Sequence, residues 1–251
     1  MTKKKYKALM MDLDGTTIPN RRDGLPSQRV IDAVKKATQV MHVGTATARP
    51  MFLLPQILET LQLSGPSVIN SGSQIIHCPT GEVLWEQLLN KEDIIEIGKV
   101  TKKLALEVLF DDDTKYDFNT LENFPQKTGQ LYFPQLSAED ATKVIFYLSQ
   151  ISTIAINKIP AWKLGTFDII ITHKDSTKEY GLLRVAKMLG IETHEIIGVG
   201  DGYNDLALFM SCGLKIAMGN AVPELKAVAD YVAPSVSDDG VAHIIEKFVL
   251  Q

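Results

Sequence analysis

The chain has 251 residues, 45% of them hydrophobic and 22% charged, with a formal net charge of −4. That composition belongs to a soluble globular protein with room for one large or two modest cores, and its acidic balance argues against nucleic acid or an anionic membrane as partner. Two cysteines, Cys78 and Cys212, lack any paired metal spacing and read as reduced thiols of a cytoplasmic protein.

Residues 6–12 read as a short buried strand, carried by the apolar run from Ala8 to Met11. Asp12 and Asp14 break that run early, so the basic start is not expected to be a signal peptide, and no stretch is long enough to span a bilayer. Residues 13–26 form a loop of turn formers, among them Gly15, Pro19, Gly24 and Pro26. Ser27 is an N-cap, with Val30, Ile31, Val34 and Ala37 behind it at helical spacing. A strand at 40–44 leads into Thr45-Ala46-Thr47-Ala48-Arg49-Pro50. Residues 51–63 are helical, with Pro55 weakening the first turn. A strand follows at 67–70, then a hairpin of 74–77 and 82–85 around Pro79-Thr80-Gly81. This β-α-β-α-β rhythm is the signature of a parallel sheet with crossover helices.

The rhythm then changes. An amphipathic helix at 91–104, a strand at 106–110 and a polar stretch at 111–127 precede a helix that Ser137 and Asp140 open as a capping box. Strands rich in β-branched residues follow at 151–156 and 167–172. After residue 173 the alternation returns, with helices at 178–189, 206–210, 221–229 and 239–250 and strands at 196–200, 214–218 and 231–233. The expected fold is α/β: a Rossmann-like parallel-sheet core from residues 1–83 and 171–251, with an α+β cap inserted at 84–170.

On an extended backbone residues i and i+2 point to one side. Asp12 and Asp14 are therefore expected to face one spot at the carboxyl edge of the sheet, where open α/β sheets place their ligands. Like charges so close call for a cation between them or a shared proton, the combination a carboxylate nucleophile with an acid/base partner needs. Thr47, Lys178, and Asp201 with Asp205 also sit where strands end. Four carboxylates in one place demand positive charge. Mg²⁺, held by a few carboxylates plus substrate phosphate, fits that demand. Lys178 would add a second cation, and Thr47 offers a hydroxyl and backbone N–H groups to a phosphate oxygen.

These motifs resemble the haloacid dehalogenase superfamily, and within it the Cof-type phosphatases with the larger α/β cap, class IIB. The resemblance rests on Asp12-Leu13-Asp14-Gly15-Thr16, on Thr47 and Arg49, on Lys178, on Gly200-Asp201-Gly202-Tyr203-Asn204-Asp205 and on Asp238-Asp239-Gly240-Val241-Ala242. It implies that Asp12 attacks phosphorus and that Asp14 serves as acid and base. It implies Mg²⁺ held by the Asp12 carboxylate, the Asp14 backbone carbonyl and Asp201, with Asp205 in support. Thr47, Lys178 and Asn204 would hold phosphoryl oxygens. The implied activity is that of a Mg²⁺-dependent phosphatase of small phosphorylated metabolites, sugar phosphates or related organic phosphates first, in a monomer or homodimer. A phosphomutase and a non-catalytic metabolite-binding protein are the rivals.

Two positions depart from the family pattern. Ala48 stands where glycine is usual, so a left-handed backbone there would be strained. Ser71-Gly72-Ser73 replaces an Asn-Gly-Ala turn. Thr45 is the substitute for Thr47 if the register slips by two. Asp111-Asp112-Asp113 reads as a solvated run, Trp85 and Trp162 as packing, His173 and Cys212 as structural, and Arg49 as a loop brace.

Overall fold

In the computed structural model, which describes residues 5–112, 114 and 127–251, strand β1 (Ala8–Met11) is buried along its whole length. Its neighbours are β2 (His42–Thr45) and β10 (Ile196–Gly200), with β11 (Leu214–Ala217) and β12 (Tyr231–Val232) beyond. Together they make a parallel sheet in the order β12-β11-β10-β1-β2. Successive β1 side chains serve opposite faces. Leu9 and Met11 pack with Val30 and Val34 of helix α1 (Gln28–Ala37) and Ile244 of α8 (Gly240–Phe248). Ala8 and Met10 pack with Leu182 and Val185 of α5 (Lys178–Leu189). Both faces are covered, which is why this strand reads as an unbroken apolar run. Met11 stands opposite both Thr45 and Val199, so three chain segments leave the sheet at one edge.

The segment expected as one helix at 51–63 is a 3-10 turn, Met51–Leu53, followed by α2 (Pro55–Leu61). Pro55 takes the first helical turn, where its missing N–H costs no hydrogen bond. Strand β3 (Gly65–Ile69) leaves the parallel rhythm: it pairs antiparallel with β4 (Gln74–Cys78), which pairs with β5 (Glu82–Glu86). A single bridge from Ala46 to Val68 runs alongside β2. Local pattern marked the strand, but pairing partners are tertiary choices that pattern does not carry.

A third sheet, like that of β3, β4 and β5, is antiparallel throughout. It joins β6 (Leu109–Phe110), β7 (Gln130–Leu136), β9 (Phe167–His173) and β8 (Ile154–Pro160) in that order. Its Leu131, Phe133, Ile169 and Ile171 share a core with α3 (Lys91–Leu104) and α4 (Ala138–Leu148). The sequence reading assigned no strand to β7, which contains Pro134. The pairing accommodates the proline by shifting register between Phe133 and Leu136, with Gln135 at φ 53. β5 runs to Glu86 and β9 to His173, so strands cross both positions expected as domain boundaries.

Asp111 is not simply solvated. It accepts from Gly129 N at 2.9 Å and from Asn70 Nδ2 at 3.4 Å, and burial pushes its carboxyl up. The rest of that polar stretch, at 113 and 115–126, lies outside the described residues.

His42 carries a testable consequence for stability. Its Nε2 lies 2.9 Å from Pro66 O, and burial lowers its pKa from 6.5. Below that value the unfolded chain takes up a proton that the folded ring resists, so stability falls as pH falls. Thermal unfolding of wild type and His42→Gln between about pH 7.5 and 5.5 should show the steeper acid loss in wild type. Parallel curves would remove the ring from the account.

Candidate active site

Asp12 is the first residue past β1, and its N–H donates to Val199 O at 2.9 Å. The chain then turns sharply: Thr16, Thr17 and Ile18 all donate their N–H to Leu13 O, at 3.1, 2.8 and 2.9 Å. Thr17 Oγ1 closes the turn on Asp12 O at 2.6 Å. Gly15 has φ +76, and a Cβ there would stand 2.3 Å from Asp201 Oδ2, so only glycine lets the two loops meet. Thr16 Oγ1 donates to Asp201 Oδ1 at 2.8 Å, and Asn220 Nδ2 to Gly15 O at 2.7 Å. Segments nearly two hundred residues apart are thereby stitched together.

Lys178 opens α5 behind its N-cap, Thr177, and is buried. Its Nζ lies 2.9 Å from Asp12 Oδ1 and 2.6 Å from Asp205 Oδ1. The other Asp205 oxygen accepts from the N–H groups of Asp201 and Gly202, both at 2.9 Å. Carboxylate oxygens of Asp12, Asp201 and Asp205 all fall within 4.8 Å of one another. Burial, then Asp205, holds Asp12 well above the usual carboxylate range against the pull of Lys178. Burial and Asp205 push Asp201 up to about 7, with Thr16 opposing. Burial alone would lower Lys178, yet Asp12 and Asp205 together raise it. One ammonium among three carboxylates leaves negative charge over. This hard-oxygen set could hold a divalent cation. Asp12 and Asp201 are the better placed to do so, because both Asp205 oxygens already serve Lys178 and the loop.

Asp14 stands apart from that cluster. Arg49 grips it with a two-toothed contact, Nη2 to Oδ1 at 2.6 Å and Nε to Oδ2 at 2.7 Å. Arg49 also donates to Arg21 O and Arg22 O, at 2.7 and 3.0 Å. The two aspartates face one cavity but not one cation. The strand ends before Asp12, so strand alternation no longer governs Asp14, and each carboxylate has its own cation. Both still line one cavity, of about 250 Å³, with Thr47, Asp201 and Asn204.

Thr47 is buried and lines that cavity, and its Oγ1 accepts from Arg49 N at 3.1 Å. Thr45 instead donates to Met11 O inside the sheet at 2.9 Å and does not line the cavity. Ala48 lies outside the left-handed region, so the strain expected there is absent. It falls on Asn70 and Ser71, at φ 50 and 57. The neighbouring Gly72 is obligatory, since a Cβ would stand 2.2 Å from Thr177 O.

The sequence reading missed several lining residues, among them Asn20, Arg22, Tyr203 and Asn220. Asn220 was within reach, because it follows a strand end by the same rule that marked Asp12 and Asp201. Trp162 lines the cavity rather than packing in a core, with the Arg49 guanidinium 5.4 Å from its ring centre. Trp85 does pack, under Arg184 at 3.8 Å. His173 Nδ1 accepts from Asp175 N at 3.2 Å, a local turn contact. Burial pushes the Cys212 thiol up to about 12.

A parallel sheet with carboxylates and a lysine gathered at its carboxyl edge, roofed by a four-stranded antiparallel sheet, defines an α/β enzyme that handles an anionic group. The chain belongs to the haloacid dehalogenase-like hydrolase family, whose model matches residues 9–245. A protein of Streptococcus pyogenes serotype M6, provisionally named a phosphatase, is 28% identical over 267 residues, covering 97% of this chain and 98% of that one. A phosphoglycolate phosphatase of Staphylothermus marinus is 26% identical over 243 residues, covering 95% of each chain. Among solved structures, a Bacteroides thetaiotaomicron phosphatase of the superfamily superposes with TM-score 0.82 at 20% identity, over 97% of this chain and 95% of that one. A subclass IIB sugar phosphatase gives TM-score 0.80 at 21% identity, over 96% and 98%. At these identities the structural likeness is one of fold. Among the described residues no helix is long and apolar enough to cross a membrane.

Proposed function

We propose that the protein is a Mg²⁺-dependent phosphatase of small phosphorylated metabolites, with sugar phosphates or related organic phosphates the preferred class. The observation that carries this reading is Asp12: a buried carboxylate at the sheet edge, 2.9 Å from Lys178 and open to the cavity. Family membership and the phosphatase names of relatives support it.

In the proposed reaction an Asp12 oxygen attacks phosphorus. The ester oxygen departs with a proton from Asp14, leaving an alcohol and an aspartyl-phosphate. Asp14 then takes a proton from the water that attacks phosphorus, which releases inorganic phosphate and restores Asp12. Arg49 holds both Asp14 oxygens in its guanidinium fork and so orients the carboxyl that would serve as acid and base. Thr47, Lys178 and Asn204 would hold phosphoryl oxygens, and Lys178 keeps Asp12 oriented. Asp12, Asp201 and the Asp14 backbone carbonyl would hold Mg²⁺, with Asp205 steadying the loop behind them. Bound there, the ion would neutralise charge on the transferred group.

In this reading residues 1–83 and 171–251 form the catalytic core, and 84–170 the cap that keeps water from the transfer step. A cytoplasmic monomer or homodimer, with no nucleic-acid partner, suits such a role. Purified protein with Mg²⁺ should release phosphate from a panel of phosphorylated sugars. EDTA should silence it, and added Mg²⁺ should restore it. Turnover indifferent to EDTA would remove the metal from the mechanism, and no release across the panel would end the phosphatase reading.

A further inference from the structure

Each aspartate on the cavity floor has a side-chain partner: Lys178 for Asp12, Arg49 for Asp14, Thr16 for Asp201. The roof differs. It is the second face of the antiparallel sheet, where Ile170 stands opposite Tyr132 and Asn157, and Asp168 stands opposite Ile159. Alternation sends Ile169 and Ile171 into the core with α3 and α4, and leaves Asp168 and Ile170 lining the cavity. Among the described residues the roof is otherwise amide, aromatic or aliphatic, and Asp168 is its only charge.

Asp168 Oδ1 accepts from Gln135 N at 2.8 Å. Its other oxygen has no protein partner, and no basic side chain pairs with it, among the described residues. Burial pushes this carboxyl up, opposed only by the Gln135 hydrogen bond. A structural duty is plain, since Asp168 clamps the bulge where Gln135 takes φ 53. That duty uses one oxygen and no charge, so asparagine would serve equally well. A carboxylate in a partly desolvated wall is costly unless a cation or a donor meets it. The described residues supply none, and the cavity's basic residues among them, Arg22 and Arg49, lie by Trp162, Arg49 being held by Asp14.

We propose, resting on the phosphatase reading, that Asp168 is a specificity-determining residue and that the preferred substrates are phosphate monoesters whose leaving group carries an ammonium. The ester's phosphate lies on the floor beside Asp12, and its nitrogen meets the free Asp168 oxygen on the roof.

The test compares a 2-amino-2-deoxyhexose 6-phosphate with its parent hexose 6-phosphate. Binding is read by calorimetry in the Asp12→Asn protein with Mg²⁺, where the ester is not consumed. The amino ester should bind about tenfold more tightly, and the advantage should vanish at alkaline pH, where its amine is neutral. Adding Asp168→Asn should erase the preference while leaving the thermal midpoint in place, because the amide oxygen still accepts from Gln135. Asp168→Ala should erase it and lower the midpoint too. Equal binding of the two esters, or a preference that survives Asp168→Asn, would overturn the proposal. Release of phosphate from p-nitrophenyl phosphate by the native protein is measured separately. Its absence would count against the phosphatase reading, while the binding ratio still decides the role of Asp168.

Discussion

Asp12→Asn is expected to lower phosphate release by about 10⁴-fold or more while leaving the metal-free protein at least as stable as wild type. The amide cannot attack phosphorus, so the loss falls on turnover. The stability effect follows from the surroundings. Burial and Asp205 both disfavour a charge at position 12, and only Lys178 favours it. Asparagine removes the disfavoured charge, and its oxygen still accepts from Lys178. Lys178 itself remains paired with Asp205 at 2.6 Å. Phosphate release and the thermal midpoint, measured on one preparation, check both halves. Substantial residual turnover would sink the covalent route. A large fall in the midpoint would show that the charge, rather than the shape, of Asp12 holds this corner.

Much of this corner is legible in the amino-acid sequence. β1 could be read because both its faces are buried, so its residues form an apolar run ending at a charged one. The sites at Asp12 and Asp201 could be read because parallel strands discharge their chains at a common edge, which turns distant positions into neighbours, while Lys178 reaches that edge from the first turn of α5. The partner of Asp14 was less accessible. Arg49 was noted as a brace, but its grip on Asp14 depends on how sharply the chain turns at Leu13, where strand alternation lapses. β7 was hidden by Pro134, since a proline argues against a strand unless a bulge is foreseen. The roof was hidden for a related reason. Asp168 looks like any polar residue in an alternating strand, and only the sheet's packing reveals that its face is a cavity wall rather than solvent.

Lys178→Met is expected to move stability the other way. The side chain is buried, and its ammonium is the one cation within contact of Asp12 and Asp205 among the described residues. Truncating it strips Asp205 Oδ1 of its donor while that residue stays fully buried. Leaving a buried charge without its partner costs roughly 3–5 kcal/mol. The folded variant can relieve this by protonating Asp12, whose carboxyl already lies well above the usual range and rises further once the Lys178 ammonium that lowers it is gone. A raised carboxyl pKa adds stability as pH falls and loses it as pH rises, so the deficit should shrink from about pH 8 to pH 5. Adding Asp205→Asn should recover part of the loss, and a double-mutant cycle by urea unfolding would measure the coupling. A wild-type midpoint for the single variant would mean that the ammonium does not hold these acids in place. Both Asp12→Asn and Lys178→Met should end turnover, yet they shift stability in opposite directions. A protein that merely failed to fold could not produce that pair of results, whereas a carboxylate cluster short of positive charge requires it.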